Sequence, residues 1–156
     1  MNLSLNLNDI KSYNICFLEQ KQNIIMDGSF TKINYLNEDI TMNGTYIYFP
    51  INHTSFDIRD NKHYIKFNYT HETKLTEFIT FESNILDYYN ISHNNNKTKN
   101  LLLSKQIHSG YMKFYKNNIN LNSKNNFFTL KISGIWENAS NIGLTYKLLL
   151  TNNIIN

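Results

Sequence analysis

Residues 130–150, LKISGIWENASNIGLTYKLLL, contain the clearest strand pattern in the chain. β-branched and aromatic residues, which are enriched in strands, dominate both ends of this stretch. The polar run 137–141 separates an arm at 127–136 from an arm at 142–150 and is typical of a turn. The stretch therefore predicts a β-hairpin and, with it, a β-rich fold.

Shorter strand patterns precede this hairpin. Apolar runs occupy 13–18 and 22–26, and the runs 30–36 and 40–49 predict a hairpin that turns at 37–39. Asn43-Gly44 inside the second arm indicates a bulge or an earlier turn, and Pro50 ends that arm because proline cannot donate to a ladder. A further strand is predicted over 63–69.

The hydrophobic period changes in the middle of the chain. Apolar residues at helical spacing predict a helix over 73–90, the only one in the chain, with Thr73 or Thr76 as its cap. The polar run 93–100 predicts a mobile loop. Residues 101–107 and 111–116 are then interpreted as a second hairpin that turns at 108–110, and 117–126 as another loop.

The order of these elements favours one fold class. Three strands, a helix and further strands follow the order of an OB-fold, a partly open barrel that binds oligonucleotides or oligosaccharides. The extra strands predict a mainly β, OB-like barrel with one helix and extensions, and a β-sandwich or jelly roll is the alternative. The length of 156 residues and the absence of a linker predict a single domain, 1–156.

Composition excludes several classes of protein. No apolar run approaches the roughly 18 residues of a membrane helix, and the first ten residues lack the pattern of a signal peptide. The single Cys16 excludes an internal disulfide. The chain has 28 Asn but one Arg, one Ala and no Val, which indicates an AT-rich genome such as that of a large DNA virus or a parasite. We therefore expect an intracellular protein, in the cytoplasm or nucleus of an infected host cell.

Strict alternation in four predicted strands separates an aliphatic side from a side rich in tyrosine and lysine. In the strand 63–69, Ile65 and Phe67 lie opposite Tyr64 and Lys66. Comparable alternation runs through 111–115, 128–133 and 142–150. If the aliphatic sides form the core, the opposite sides carry Tyr111, Lys113, Tyr115, Lys131 and Lys147.

Tyrosine and lysine on one surface are what a site for single-stranded nucleic acid requires. Lysines neutralise phosphates, and aromatic rings stack on exposed bases. The alternative is an ordinary solvated strand face, because AT-rich coding raises the content of both residues. Trp136 at a strand end fits either a core position or a platform for stacking.

The C-terminal hairpin 130–150 resembles the closing hairpin of OB-fold single-stranded DNA-binding proteins from large nucleocytoplasmic DNA viruses and certain phages. The residues that carry this resemblance are Gly134, Ile135, Trp136, Gly143, Thr145, Tyr146 and Lys147. The segment 30–51 is more loosely similar to the first hairpin of those proteins. The resemblance covers about half of the chain and implies DNA binding without catalysis.

Other chemistry has little support in the sequence. The histidines show no i, i+4 pair, so neither a metal nor another cofactor is expected. Cys16 lies in an apolar strand, where thiols are usually inert. The cluster 57–60 is interpreted as a loop with an internal ion pair rather than a catalytic pair of carboxylates.

The leading hypothesis is thus a non-catalytic binder of single-stranded nucleic acid, with DNA as the expected polymer. Lysines would contact phosphates, and aromatic rings would stack on bases. The predicted site comprises Tyr64, Lys66, Tyr111, Lys113, Tyr115, Lys131, Trp136 and Lys147. The alternative is a structural or assembly protein of a viral particle, in which the outward tyrosines contact copies of the chain or other viral proteins.

Overall fold

The C-terminal hairpin is present in the computed structural model, which describes residues 4–22, 24–25, 27–52, 54–116 and 126–152. Its two long arms, Asn126–Glu137 and Asn141–Asn152, pair antiparallel. The Asn138 side-chain oxygen accepts hydrogen bonds from the backbone N–H groups of Ser140 and Asn141 and closes the turn. The predicted hairpin is therefore confirmed.

Within the described ranges, ten strands form one mixed sheet around this hairpin. The path of neighbouring strands is β1-β2-β9-β10-β8-β6-β5, and β3, β4 and β7 pair with β2, β9 and β10 respectively. The strands are β1 Ile15–Gln22, β2 Ser29–Leu36, β3 Thr41–Asn43, β4 Thr45–Phe49, β5 Thr54–Arg59, β6 Lys62–Phe67, β7 Thr98–Asn100, β8 Tyr111–Lys116, β9 Asn126–Glu137 and β10 Asn141–Asn152. The helices are α1 Leu75–Ser92 and α2 Leu102–Ser109, with short 3₁₀ turns at Leu7–Asp9, Ser12–Asn14 and Tyr69–His71.

The mainly β class is confirmed, whereas the predicted barrel is not. No ladder among the described residues joins the outer strands β1 and β5, so the sheet is not closed. β7 and β8 both pair parallel to β10. The mixed sheet thus differs from a simple succession of hairpins.

The early hairpin breaks where the sequence indicated. β2 pairs with β3, but at Gly44 the backbone takes φ of +89°, a conformation that glycine adopts without strain. β4 then leaves β2 and pairs with β9 from Thr45 to Phe49. The bulge or turn predicted at Asn43-Gly44 moves the chain from one neighbour to another.

Helix α1 lies close to its predicted position, but its predicted caps are wrong. Lys74 occupies the N-cap position and makes no side-chain capping bond. The six residues predicted for its apolar face are Leu75, Phe78, Ile79, Ile85, Leu86 and Tyr89, and all but the partly buried Ile79 are buried. The predicted loop 93–100 is partly wrong, since its end forms β7.

The strand predicted at 101–107 is wrong, because these residues belong mostly to helix α2. The backbone N–H groups of Leu103 and Ser104 donate to the buried carboxylate of Glu82 on α1, at 3.0 and 2.7 Å. Gly110 ends the helix with φ of +66°. The second predicted hairpin is therefore also wrong, and β8 pairs instead with β6 and β10.

Predictions for 57–60 and for the N-terminal apolar runs also need correction. Residues 57–60, predicted as a loop, mostly form β5, which turns at Asp60 and Asn61 into β6. The apolar run 13–18 mostly forms β1, which ends at Gln22, and residues 24–25 of the run 22–26 are not in a strand. Residues 23 and 26 of that run lie outside the described residues. The predicted loop 117–126 lies outside the described residues except for Asn126, which begins β9.

Both helices pack on one side of the sheet, here called the covered face. Phe78 of α1 packs edge-on against Phe49 of β4, and the Tyr89 hydroxyl lies 2.9 Å from the Thr31 hydroxyl of β2. The Tyr146 hydroxyl of β10 donates to Gln106 of α2. The opposite side of the sheet, here called the outer face, carries no helix among the described residues.

Candidate functional site

Seven of the eight predicted site residues lie together on the outer face. Along β8, Met112 and Phe114 are buried against the helices, so Tyr111, Lys113 and Tyr115 point to the other side. Residues that pair directly across neighbouring strands lie on the same face, so the strand register places the residues of β6, β10 and β9 that follow this pairing on the outer face as well. The seven residues are Tyr64, Lys66, Tyr111, Lys113, Tyr115, Lys131 and Lys147.

Tyr115 is the centre of one aromatic and cationic group. The Nζ atoms of Lys113 and Lys147 lie 4.5 and 5.1 Å from the centroid of its ring. Both distances are within the range of cation–π contacts. Tyr115 is 39% exposed, so a face of this group is open to solvent.

A second group lies on β6 and β8. The rings of Tyr64 and Tyr111 stack nearly parallel, with centroids 4.8 Å apart. The Lys66 Nζ lies 6.0 Å and the Arg59 Cζ 5.5 Å from the centroid of Tyr111. These contacts bring the cations of β5 and β6 onto an aromatic platform.

A third group extends the outer face to β4. Lys131 of β9 is paired in register with Tyr46 of β4, and its Nζ lies 5.4 Å from the centroid of that ring. Lys131 and Lys147 are directly opposite each other on β9 and β10. The cationic and aromatic residues therefore continue across five adjacent strands, which span about 19 Å at the usual strand spacing.

Asp57 is the only carboxylate on the outer face of β4, β5, β6, β8, β9 and β10 within the described residues. Its Oδ2 lies 3.0 Å from Arg59 Nε and 3.6 Å from Lys66 Nζ. Burial would raise the pKa of Asp57, but the charges of Lys66 and Arg59 and hydrogen bonds from Arg59 and Tyr111 outweigh it, so the pKa is lowered. Burial raises the pKa of Tyr111.

The outer face of these six strands carries six cations against that one carboxylate. The formal net charge of the whole chain is +3, so this face is more positive than the molecule as a whole. The cations are Arg59, Lys62, Lys66, Lys113, Lys131 and Lys147. Acidic side chains such as Glu82 and Glu137 lie instead on the covered face and are buried there.

Trp136 is the one predicted site residue that lies apart from these groups. It is paired with Gly143 of β10 and Phe30 of β2, five positions along β9 from Lys131. A Cβ at Gly143 would lie 2.6 Å from the indole atoms, so the ring lies directly on this glycine. Trp136 is partly exposed on the outer face rather than in the core.

Sequence reasoning missed Tyr46 and placed Arg59 and Asp57 in a loop. Tyr46 alternates with the buried Ile47 in β4. This alternation is visible in the sequence of the predicted strand 40–49 and would have placed Tyr46 on the outer face. The signal for Arg59 was the Asp60-Asn61 pair, since both residues take positive φ in a two-residue turn. The ion pair predicted within 57–60 is present and joins Asp57 to Arg59.

Metal sites and membrane-spanning helices have no support in the described part of the chain. No group of three or more His, Cys, Asp and Glu side chains that could hold a metal ion occurs there. No helix among the described residues has the length and apolar character needed to cross a membrane. His93 stacks on Tyr89, and His108 Nδ1 contacts the Ser104 carbonyl.

Comparisons with known proteins found no match for the chain. No protein-family model matches it, and searches of curated proteins and of solved structures likewise found no match.

Proposed function

We propose that the protein binds single-stranded nucleic acid, with DNA as the expected polymer, on the outer face of its sheet and without catalysis. The observation that carries this proposal is the common face of the predicted lysines and tyrosines, with six cations and one carboxylate. A cationic surface interleaved with aromatic rings attracts phosphates and stacks bases without sequence preference.

The geometry supports a division of roles between the two residue types. Lys113 and Lys147 flank the ring of Tyr115 and would hold successive phosphates while a base stacks on the exposed part of that ring. Tyr64 and Tyr111 already stack on each other, so a base would add to the outer side of this pair. Lys66 and Lys131 would contact the backbone on either side, and Trp136 would stack a more distant base.

The test measures fluorescence anisotropy of labelled oligo-dT over a range of salt concentrations. Replacing Lys113 and Lys147 together by alanine removes two phosphate contacts. We expect the double variant to bind about tenfold more weakly at low salt and to reduce the slope of log K against log salt by about 1.4, because each single-strand contact contributes about 0.7.

The matched control replaces Lys74 and Lys105, two exposed lysines on the helical side of the sheet. This double variant has the same net charge as the test variant, and we expect its affinity to stay within about twofold of the wild type. Equal losses for both variants, or no salt-dependent affinity in the wild type, would contradict the proposal.

The viral origin, the OB-like barrel and the resemblance to viral single-stranded DNA-binding proteins remain predictions from the sequence. The proposal does not depend on them. The assembly role is the second candidate, and it is favoured by the exposed apolar residues Phe56 and Ile58 on β5. Size-exclusion chromatography with and without single-stranded DNA distinguishes the two, since nucleic-acid binding requires the protein to co-elute with the DNA, whereas an assembly role requires species larger than a dimer without DNA.

A further inference from the structure

The outer strand β5 exposes an edge of its backbone. Among the described residues it pairs only with β6. The two-residue turn at Asp60 and Asn61 makes Arg59 and Lys62 a hydrogen-bonded pair. Hydrogen bonding alternates along an antiparallel strand, so Phe56 and Ile58 direct their backbone N–H and C=O groups away from β6 toward this edge.

The side chains at this edge are apolar on one face and charged on the other. Phe56 and Ile58 lie on the side of the sheet that bears the helices, yet they are 42% and 60% exposed. Asp57 and Arg59 lie on the outer face, on either side of Ile58 in the sequence. An exposed edge with apolar side chains is a template for pairing with another strand.

We propose that β5 pairs with β5 of a second copy of this chain, antiparallel and about a two-fold axis at Ile58. In this register, Ile58 lies opposite Ile58 of the second copy and exchanges two backbone hydrogen bonds with it. Asp57 then lies opposite Arg59 of the second copy, and Arg59 opposite its Asp57. Asp57 and Arg59 of the second copy form a non-hydrogen-bonded pair, because hydrogen-bonded and non-hydrogen-bonded pairs alternate along the strands. Residues in such a pair have Cα atoms about 4.5 Å apart, which is close enough for an ion pair.

Charge selects this register over the neighbouring axes at Asp57 and Arg59 and over the axis at Phe56. An axis at Arg59 would place the two arginines opposite each other. A two-fold axis at Asp57 would place the two aspartates opposite each other, which is destabilising. An axis at Phe56 would place Asp57 opposite Ser55 and leave Arg59 without an opposite charge. The axis at Ile58 is the arrangement in which both charged residues meet their complements.

The pairing extends the outer face but forms a small interface. A two-fold axis perpendicular to the sheet keeps both outer faces on the same side of the dimer. A single strand pair buries less than the roughly 800 Å² per partner of a standard interface, so the dimer should dissociate on dilution. This inference does not rest on nucleic-acid binding, and a failure of either proposal leaves the other standing.

Sedimentation velocity over a concentration series tests the charges. We expect Arg59→Asp to weaken dimerisation at least about tenfold, because both ion pairs become repulsive, and Asp57→Arg combined with Arg59→Asp to restore it. Lys62→Asp makes the same change of charge on β6, away from the edge, and should leave the dimer intact. A wild type that stays monomeric, or a charge swap without rescue, would overturn the proposal.

Cross-linking tests the register separately. In a chain with Cys16→Ser, Ile58→Cys should form an intermolecular disulfide on oxidation, because its Cα lies about 5.5 Å from that of the same residue in the second copy. Phe56→Cys should not, since the two positions would be about 13 Å apart. Cross-linking at 56 but not at 58 would contradict the register, and cross-linking at neither would contradict the pairing.

Discussion

The covered and outer faces of the sheet use tyrosine in opposite ways. On the covered face, Tyr89 is fully buried with its hydroxyl against Thr31, and the Tyr146 hydroxyl donates to Gln106 at 2.6 Å. Burial raises the pKa of both phenols. On the outer face, Tyr115 keeps 39% of its surface exposed and contacts lysine ammonium groups. The buried tyrosines are satisfied within the fold, whereas Tyr115 retains surface for a ligand.

Carboxylates show the same contrast. Glu82 has no exposed surface and accepts backbone hydrogen bonds that hold the start of α2. Asp57 forms ion pairs with Arg59 and Lys66, two partly exposed cations on the outer face. A buried group without its partners is costly, whereas an exposed ion pair contributes little to stability. Substitutions of buried groups should therefore change stability, and substitutions of exposed charges on the outer face should change binding.

The largest effect is expected where the covered face depends on Glu82. Glu82→Ala leaves the N–H groups of Leu103 and Ser104 without an acceptor, and we expect the free energy of unfolding to fall by about 2–4 kcal/mol. Urea denaturation followed by circular dichroism measures this change. Glu77→Ala, at an exposed position on the same helix, should stay within about 0.5 kcal/mol. Similar losses in both variants would break the contrast between the faces.

A smaller change in stability is expected at Gly143, where the Trp136 ring packs on the outer face. Gly143→Ala places a Cβ against the indole of Trp136, so the ring must move, and we expect a loss of about 1–3 kcal/mol. Trp136 is the only tryptophan, so its fluorescence reports the movement directly. Combining Gly143→Ala with Trp136→Ala removes the clash, and the double variant should lose less than the sum of the single variants. Strict additivity would show that the ring does not rest on Gly143.

The smallest effect is expected at Asp57, where only the charge of the outer face changes. Asp57→Asn removes its carboxylate, and we expect oligo-dT to bind about two- to threefold more tightly in anisotropy titrations at low salt. The lowered pKa of Asp57 keeps this group ionised from pH 5 to 8, so the ratio of the two dissociation constants should stay constant there. Any stability that Asp57 contributes is present above the ordinary carboxyl pKa and is lost as the pH falls through its lowered value. A ratio that approaches one near pH 6 would contradict this.

Elements with local signals were predictable, and those with distant partners were not. The apolar spacing of Leu75, Phe78 and Leu86 is a property of α1 alone, so its position could be predicted. The start of α2 has no capping side chain of its own, and its cap comes from Glu82, about twenty residues earlier. Gly110 is a local signal for the end of a helix, whereas the pattern around it predicts a strand turn at 108–110.

The candidate site divides in the same way. Alternation along single strands predicted that Tyr64 and Lys66, or Tyr111 and Lys113, share a side. The pairing of Tyr64 with Lys113, and of Tyr46 with Lys131, depends on register between strands far apart in the chain. Trp136 could not be placed because its position depends on Gly143 in the facing strand.

The amino-acid sequence alone determined the β-rich class, the C-terminal hairpin, helix α1 and the separation of aliphatic from tyrosine and lysine sides, because each follows from the spacing of neighbouring residues. Only the tertiary structure decided that the sheet is mixed, that 102–109 is helical and that the cations of separate strands form one face. Those features depend on parallel pairing to β10, on the carboxylate of Glu82 and on strand register. Their physical origin is contact between residues distant in sequence, which no local period encodes.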